Sequence, residues 1–222
     1  MITDARDAIL NGIRTALGGH FGDREGAYAA LERNYTHSGR LDASARLALL
    51  IERLREYDAT VAECAPAALR ETIAAEIAKT GRRKLVAPSG IPNEWLVDGI
   101  EWLVDRGLSA AEIEATDGVL TAAFCGVADS GTIALHHSPS EGRRILTLLP
   151  DWHLCILYAS QVVETLPEYF ARCAEAPRLA TYFSGPSATA DIEMTRIKGV
   201  HGPRFLTVIL VRDDARDSGN VA

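Results

Sequence analysis

TVAECAPAALRETIAAEIAKTGRRKLVAP, residues 60–88, is the stretch that decides the fold. Thr60-Val61-Ala62 predicts a short strand, and Ala67 to Lys79 predicts a helix built from good helix formers. Lys84-Leu85-Val86-Ala87-Pro88 predicts a second strand, closed by a Pro-Ser-Gly turn. A strand, a crossover helix and a second strand make a βα unit, with parallel strands and a right-handed connection. The pattern continues with a short helix near Asn93 to Leu96 and an apolar run at Ile100 to Val104. Ser109-Ala110-Ala111-Glu112 then opens a brief helix with the spacing of a capping box.

Beyond Gly118 strands dominate. Val119 to Val127 is almost entirely small or apolar and predicts one strand buried on both faces. Further strands are expected at Thr132 to Leu135, Arg144 to Leu149, Leu154 to Ala159, Leu179 to Phe183 and Phe205 to Val211, with a helix from about Glu164 to Cys173. Upstream, residues 1–58 read as a helical extension. One helix runs through Ile9, Ile13 and Leu17 to Gly18-Gly19; a second starts at Asp42 or Ser44 and carries Leu47, Leu50, Ile51 and Leu54 at helical spacing. Residues 59–212 form the expected α/β domain. The small, polar residues 213–222 are expected to be a disordered tail.

The 222 residues carry 23 basic against 30 acidic side chains, a net charge of -7, which argues against a nucleic-acid-binding face. The basic runs Gly81-Arg82-Arg83-Lys84 and Gly142-Arg143-Arg144 each precede an apolar run and are read as solvated approaches to strands. No signal peptide and no membrane span are expected, which places the chain in the cytoplasm. There the thiols stay reduced. Cys64, Cys125, Cys155 and Cys173 are scattered without a C-x-x-C pair, so no metal site and no cluster-binding set is expected; Cys125 and Cys155 read as buried thiols.

Two loops carry the chemistry. The first is Asp129-Ser130-Gly131-Thr132. The second runs from Ser184-Gly185-Pro186-Ser187 through Thr189 and Asp191 to Glu193, followed by Gly199-Val200-His201-Gly202-Pro203. Glycines let backbone approach a ligand, and hydroxyls beside free N–H groups suit anionic oxygens. Asp129 is placed at the carboxyl end of a buried strand, where α/β sheets bind ligands. Ser187 is placed as the cap of a helix containing Asp191 and Glu193, whose amino end would hold an anion. Asp129 and His201 are the candidate catalytic groups; a turn aspartate and a loop histidine held by backbone bonds are the plainer alternatives. His136 and His137 point to opposite faces of a strand end and make a poor metal site, and His153 reads as structural.

These segments, with Asp117-Gly118-Val119, Leu148-Leu149-Pro150-Asp151 and Gln161-Val162-Val163, resemble the signatures of the LUD-domain family, in its lactate-utilization protein C group, in the family's order over about residues 59–212. Where the family usually shows Glu-Thr-Gly-Thr, this chain has Asp129-Ser130-Gly131-Thr132, with a carboxylate one methylene shorter. The resemblance implies a three-layer α/β fold with a largely parallel sheet, similar to the NagB, ribose-5-phosphate isomerase and CoA-transferase group. It also implies a part in oxidising L-lactate to pyruvate beside iron–sulfur partner subunits. With no cofactor expected on this chain itself, the role is that of an accessory or substrate-handling subunit, its loops holding a small carboxylate or phosphorylated ligand. Two alternatives are an independent isomerase or acyl-transferase that uses Asp129 and the Ser187 helix start, and a non-catalytic scaffold or ligand sensor.

Overall fold

A computed structural model describes residues 2–18, 23–190, 196–198 and 202–213. It divides the chain into two compact units, Met1–Thr36 and His37–Ala222. The smaller unit holds helices α1 (Ile2–Ala16) and α2 (Arg24–Ala29), the latter capped by the Asp23 carboxylate, which accepts from the Gly26 N–H at 2.8 Å.

The larger unit opens with helix α3 (Ala43–Glu56), capped at Asp42 as its sequence predicts. Strand β1 (Thr60–Cys64), helix α4 (Leu69–Thr80) and strand β2 (Lys84–Pro88) follow, then β3 (Glu101–Asp105) and helix α5 (Ala110–Glu114). Ser109 and Glu112 form the expected reciprocal capping box at the start of α5. The remaining elements are β4 (Gly118–Ala122), β5 (Cys125–Val127), β6 (Thr132–Leu135), β7 (Trp152–Tyr158), β8 (Val162–Val163), helix α6 (Leu166–Arg172), β9 (Thr181–Phe183), β10 (Ala188–Ala190), β11 (Arg196–Lys198) and β12 (Phe205–Val211).

Six strands form the central sheet in the order β1-β12-β7-β4-β2-β3, and every neighbouring pair is parallel. The period-2 alternation of β7 sorts its side chains between two cores. Cys155 and Leu157 face α3 and a second, four-stranded sheet of order β8-β5-β6-β9; Leu154 and Ile156 face α4. Three layers result: α3 with the smaller sheet, the parallel sheet, and α4. Leu47, Leu50 and Leu54 of α3, all 1% exposed, belong to the first core, so α3 is packed as part of the larger unit. A fully buried leucine contributes about 1.5–3 kcal/mol, which makes this one helix face a substantial anchor.

Three local expectations are corrected. The run Val119 to Val127 is two strands in two sheets. β4 stays with β7 and β2, whereas the Phe124 N–H turns to the Ala134 carbonyl and carries β5 into the smaller sheet. Both halves are buried, so composition alone leaves no mark at the change of sheet. Arg144 to Leu149 is no strand: Arg144–Thr147 form a 3-10 helix with local bonds such as Leu146 N–H to Arg143 O. Ser187 caps no helix, because the next three residues are β10, paired antiparallel with β11.

Candidate functional site

The smaller sheet brings the two predicted loops together. β5 and β6 are antiparallel, and residues 128–131 turn between them. β9 pairs with the other side of β6, Ile133 standing opposite Phe183, so Thr132 and Ser184 emerge side by side. Their hydroxyls share a hydrogen bond of 2.9 Å, and Ser130 Oγ donates to Thr132 Oγ1 at 2.8 Å. Three hydroxyls from two loops 52 residues apart thus form one chain.

Glycine is required at two points of this junction. Gly131 has φ +63°, a left-handed turn position, and an added Cβ would lie 2.6 Å from Arg53 Cβ of α3. Gly185 has φ +153°, and an added Cβ would lie 2.6 Å from Tyr57 Cβ and 2.8 Å from the Tyr57 carbonyl oxygen. Both loops are therefore pressed against the end of α3. The Ser187 N–H donates to the Pro203 carbonyl at 2.8 Å, which ties the second loop to the approach of β12. Asp129 is exposed on the turn, its N–H bonded to the Glu164 carbonyl at 3.0 Å; no hydrogen bond to its carboxylate is found among the described residues. Thr189 lies in β10 opposite Ile197. Asp191, Glu193 and His201 lie outside the described residues.

The location differs from expectation. Asp129 follows β5, which is not a strand of the parallel sheet, and β5 runs back from the carboxyl end of β4. The junction consequently sits beside Tyr57, just ahead of β1, and beside Pro203, just ahead of β12, at the amino ends of the parallel strands. With Ser187 leading into a strand, the helix amino terminus required by the acyl-transfer alternative is not at that serine.

Behind the junction lies a buried polar pair. His153 is 3% exposed; its Nε2 shares a hydrogen bond of 2.8 Å with Thr121 Oγ1, and its ring lies 5.1 Å from that of Phe183, next to Ser184. Burial, aided by the nearby Arg144 charge, pushes its pKa down to about 3, so the imidazole is neutral and structural, as the sequence suggested. Burial likewise raises the thiols of Cys125 to about 11 and Cys155 to about 12, values of inert core thiols. His136 and His137 turn to separate partners: Tyr169 Oη for His136 Nε2, and the Gly142 carbonyl and Thr181 Oγ1 for His137.

Both basic runs are more engaged than expected. The Arg82 guanidinium lies 5.2 Å from the Trp152 and Phe205 rings. Arg144, read from sequence as solvated, is half-buried and donates through Nη1 to Thr147 O at 2.9 Å and Thr147 Oγ1 at 3.0 Å. Its burial was not legible, because nothing in Gly142-Arg143-Arg144 tells a buried guanidinium from a solvated one. A cleft of about 570 Å³ elsewhere, lined by Ala48, Ile51, Glu52, Arg55, Glu56 and Glu63, includes none of the predicted residues.

Fold and junction define a three-layer α/β protein whose second sheet gathers glycine- and hydroxyl-rich loops at the amino ends of a parallel sheet. The chain matches the LUD domain over residues 29–211. It is 40% identical over 164 residues to Lactate utilization protein C of Deinococcus radiodurans, covering 72% of this chain and 76% of that protein. It is 31% identical over 134 residues to Lactate utilization protein C of Bacillus subtilis, covering 55% of each. Among solved structures, a DUF162 family protein from Deinococcus radiodurans has 33% identity and a TM-score of 0.66, covering 78% of this chain and 99% of that one. This chain belongs to the LUD domain family. Among the described residues, no helix is long and apolar enough to cross a membrane.

Proposed function

We propose that this chain serves lactate utilization as a substrate-handling subunit in the oxidation of L-lactate to pyruvate, beside iron–sulfur partner subunits. The observation that carries the reading is the 40% identity to a protein named Lactate utilization protein C, spread over 72% of this chain. The Ser130–Thr132–Ser184 hydroxyl chain supports it by providing polar groups suited to a small hydroxy- or keto-carboxylate. Asp129, exposed at the rim of that junction, is the candidate acid–base group, together with His201.

Oxidation of lactate releases two electrons and two protons. The scattered cysteines, two of them buried thiols, are poor candidates for cluster ligands, which favours electron transfer through partner subunits. The test is deletion of the reading frame together with affinity capture of the tagged chain from lactate-grown cells. Expected are loss of growth on L-lactate, restored by the intact chain, and recovery of an iron-containing complex that oxidises L-lactate. Unimpaired growth of the deletion strain, or lactate oxidation by the chain alone, would overturn the proposal.

A further inference from the structure

Arg143 and Arg144 are neighbours in sequence with opposite circumstances. Arg143 grips Asp105 with two bonds, Nε to Oδ2 at 2.8 Å and Nη2 to Oδ1 at 2.7 Å, and Nη2 also donates to the Leu108 carbonyl at 2.8 Å. That is a structural arginine: a planar fork satisfied by a buried carboxylate, which in turn is held below the usual carboxylate range by Arg143. Arg144 is half-buried, yet its bonds are both made by Nη1 and both reach a neutral residue, Thr147. Among the described residues no carboxylate forms an ion pair with it. Its pKa is lowered, and burial is the cause. Withdrawing a cation from water without an anion is unfavourable, and a protein that retains such a group commonly uses it.

The surroundings show what it can be used for. Thr147 O, which accepts from Arg144, would lie 3.7 Å from a Cβ placed on Gly202; that same Cβ would lie 3.5 Å from Ser187 Cβ. Thr147, Gly202 and Ser187 therefore adjoin, Arg144 reaches them through the Thr147 carbonyl, and Ser187 ends the loop that Ser184 begins. We propose that Arg144 is an anion-binding residue of the loop junction, offering its unused guanidinium edge to a small oxyanion, a carboxylate or a phosphate, beside Ser187 and Gly202. A planar fork suits both, and glycine at 202 leaves room for the ligand's oxygens. The proposal rests on these loops being a ligand site; it does not depend on the lactate pathway.

The test is calorimetric titration of the purified full chain with L-lactate, pyruvate and inorganic phosphate in separate arms, for the wild type, Arg144→Gln, Arg144→Lys and the control Arg70→Gln. Arg70 pairs with the fully exposed Asp98 and serves as a remote cation. The wild type and the Arg70 variant are expected to bind at least one ligand; binding in the carboxylate arms marks a carboxylate site, and binding in the phosphate arm a phosphorylated ligand. Arg144→Gln is expected to weaken binding at least tenfold while the variant still melts cooperatively. If Arg144→Gln shows no cooperative melting, Arg144→Lys decides: several-fold weaker binding supports the fork, and wild-type affinity refutes it. No binding by the wild type in any arm, or undiminished binding by Arg144→Gln, overturns the inference. The two proposals fail separately: oxyanion binding lost in Arg144→Gln while the deletion strain still grows on lactate removes the proposed function alone, and the converse removes this one alone.

Discussion

Replacing Thr132 by valine removes a hydroxyl while keeping the β-branched shape that suits the start of β6. That oxygen is the middle of the chain joining the loops, receiving Ser130 Oγ at 2.8 Å and meeting Ser184 Oγ at 2.9 Å. A net intramolecular hydrogen bond contributes about 1 kcal/mol, so losing both sets an upper expectation of roughly 2 kcal/mol. Ser130 and Ser184 are half-buried, and water can satisfy them once Thr132 is gone, which lowers the expected loss to about 1 kcal/mol. Ser184→Ala breaks only the second bond and is expected to cost about 0.5–1 kcal/mol. Because both substitutions remove the Thr132–Ser184 bond, the double variant should cost less than the sum, with a coupling of about 0.5–1 kcal/mol. The assay is urea unfolding followed by tryptophan fluorescence, Trp152 being 1% exposed at the start of β7. A coupling within experimental error would refute the claim that these hydroxyls join the two loops.

Two further outcomes test the same region. Gly185→Ala drives a methyl group against Tyr57 at a backbone angle that side chains rarely adopt, and should cost about 2 kcal/mol or more in the same unfolding assay. The His153 pKa is depressed in the fold, so the folded state binds fewer protons and the contribution of this group is complete above about pH 6.5 and lost as pH falls toward about 3. The stability gap between wild type and His153→Gln should therefore be widest near neutrality and narrow on acidification, by up to about 1.4 kcal/mol per pH unit, as read from unfolding midpoints across that range.

The parallel core was legible because β1, α4 and β2 each carry a local signal: apolar runs, a helix-forming run between them and a glycine at its end. The capping box at Ser109 was legible for the same reason, since its bonds close within four residues. Pairing was not. The change of sheet at Ala123-Phe124 depends on which distant carbonyl meets each N–H: that of Ala122 goes to Ser140 O and that of Phe124 to Ala134 O, and the apolar run carries no signal for either. In the site, the composition of the two loops announced that polar groups would gather, and Thr132 and Ser184 do meet. Their position at the amino ends of the parallel strands was set by β5 running back along the sheet, a tertiary outcome. A serine followed by small residues and acids fits a helix start or a hairpin equally well; pairing with Arg196–Lys198 selected the hairpin. Arg144 was invisible for a related reason, since a guanidinium's burial depends on what folds over it.

If the Asp129 turn and the Ser184 loop make one site that works in lactate oxidation, Asp129→Asn should disable it. The carboxylate is exposed and has no hydrogen bond among the described residues, so the substitution should leave folding stability within about 0.5 kcal/mol. The measurement is the rate of L-lactate oxidation by the affinity-captured complex carrying that variant. At least a tenfold drop is expected, with unchanged melting temperature and partner recovery; a wild-type rate would mean that Asp129 takes no part in the reaction.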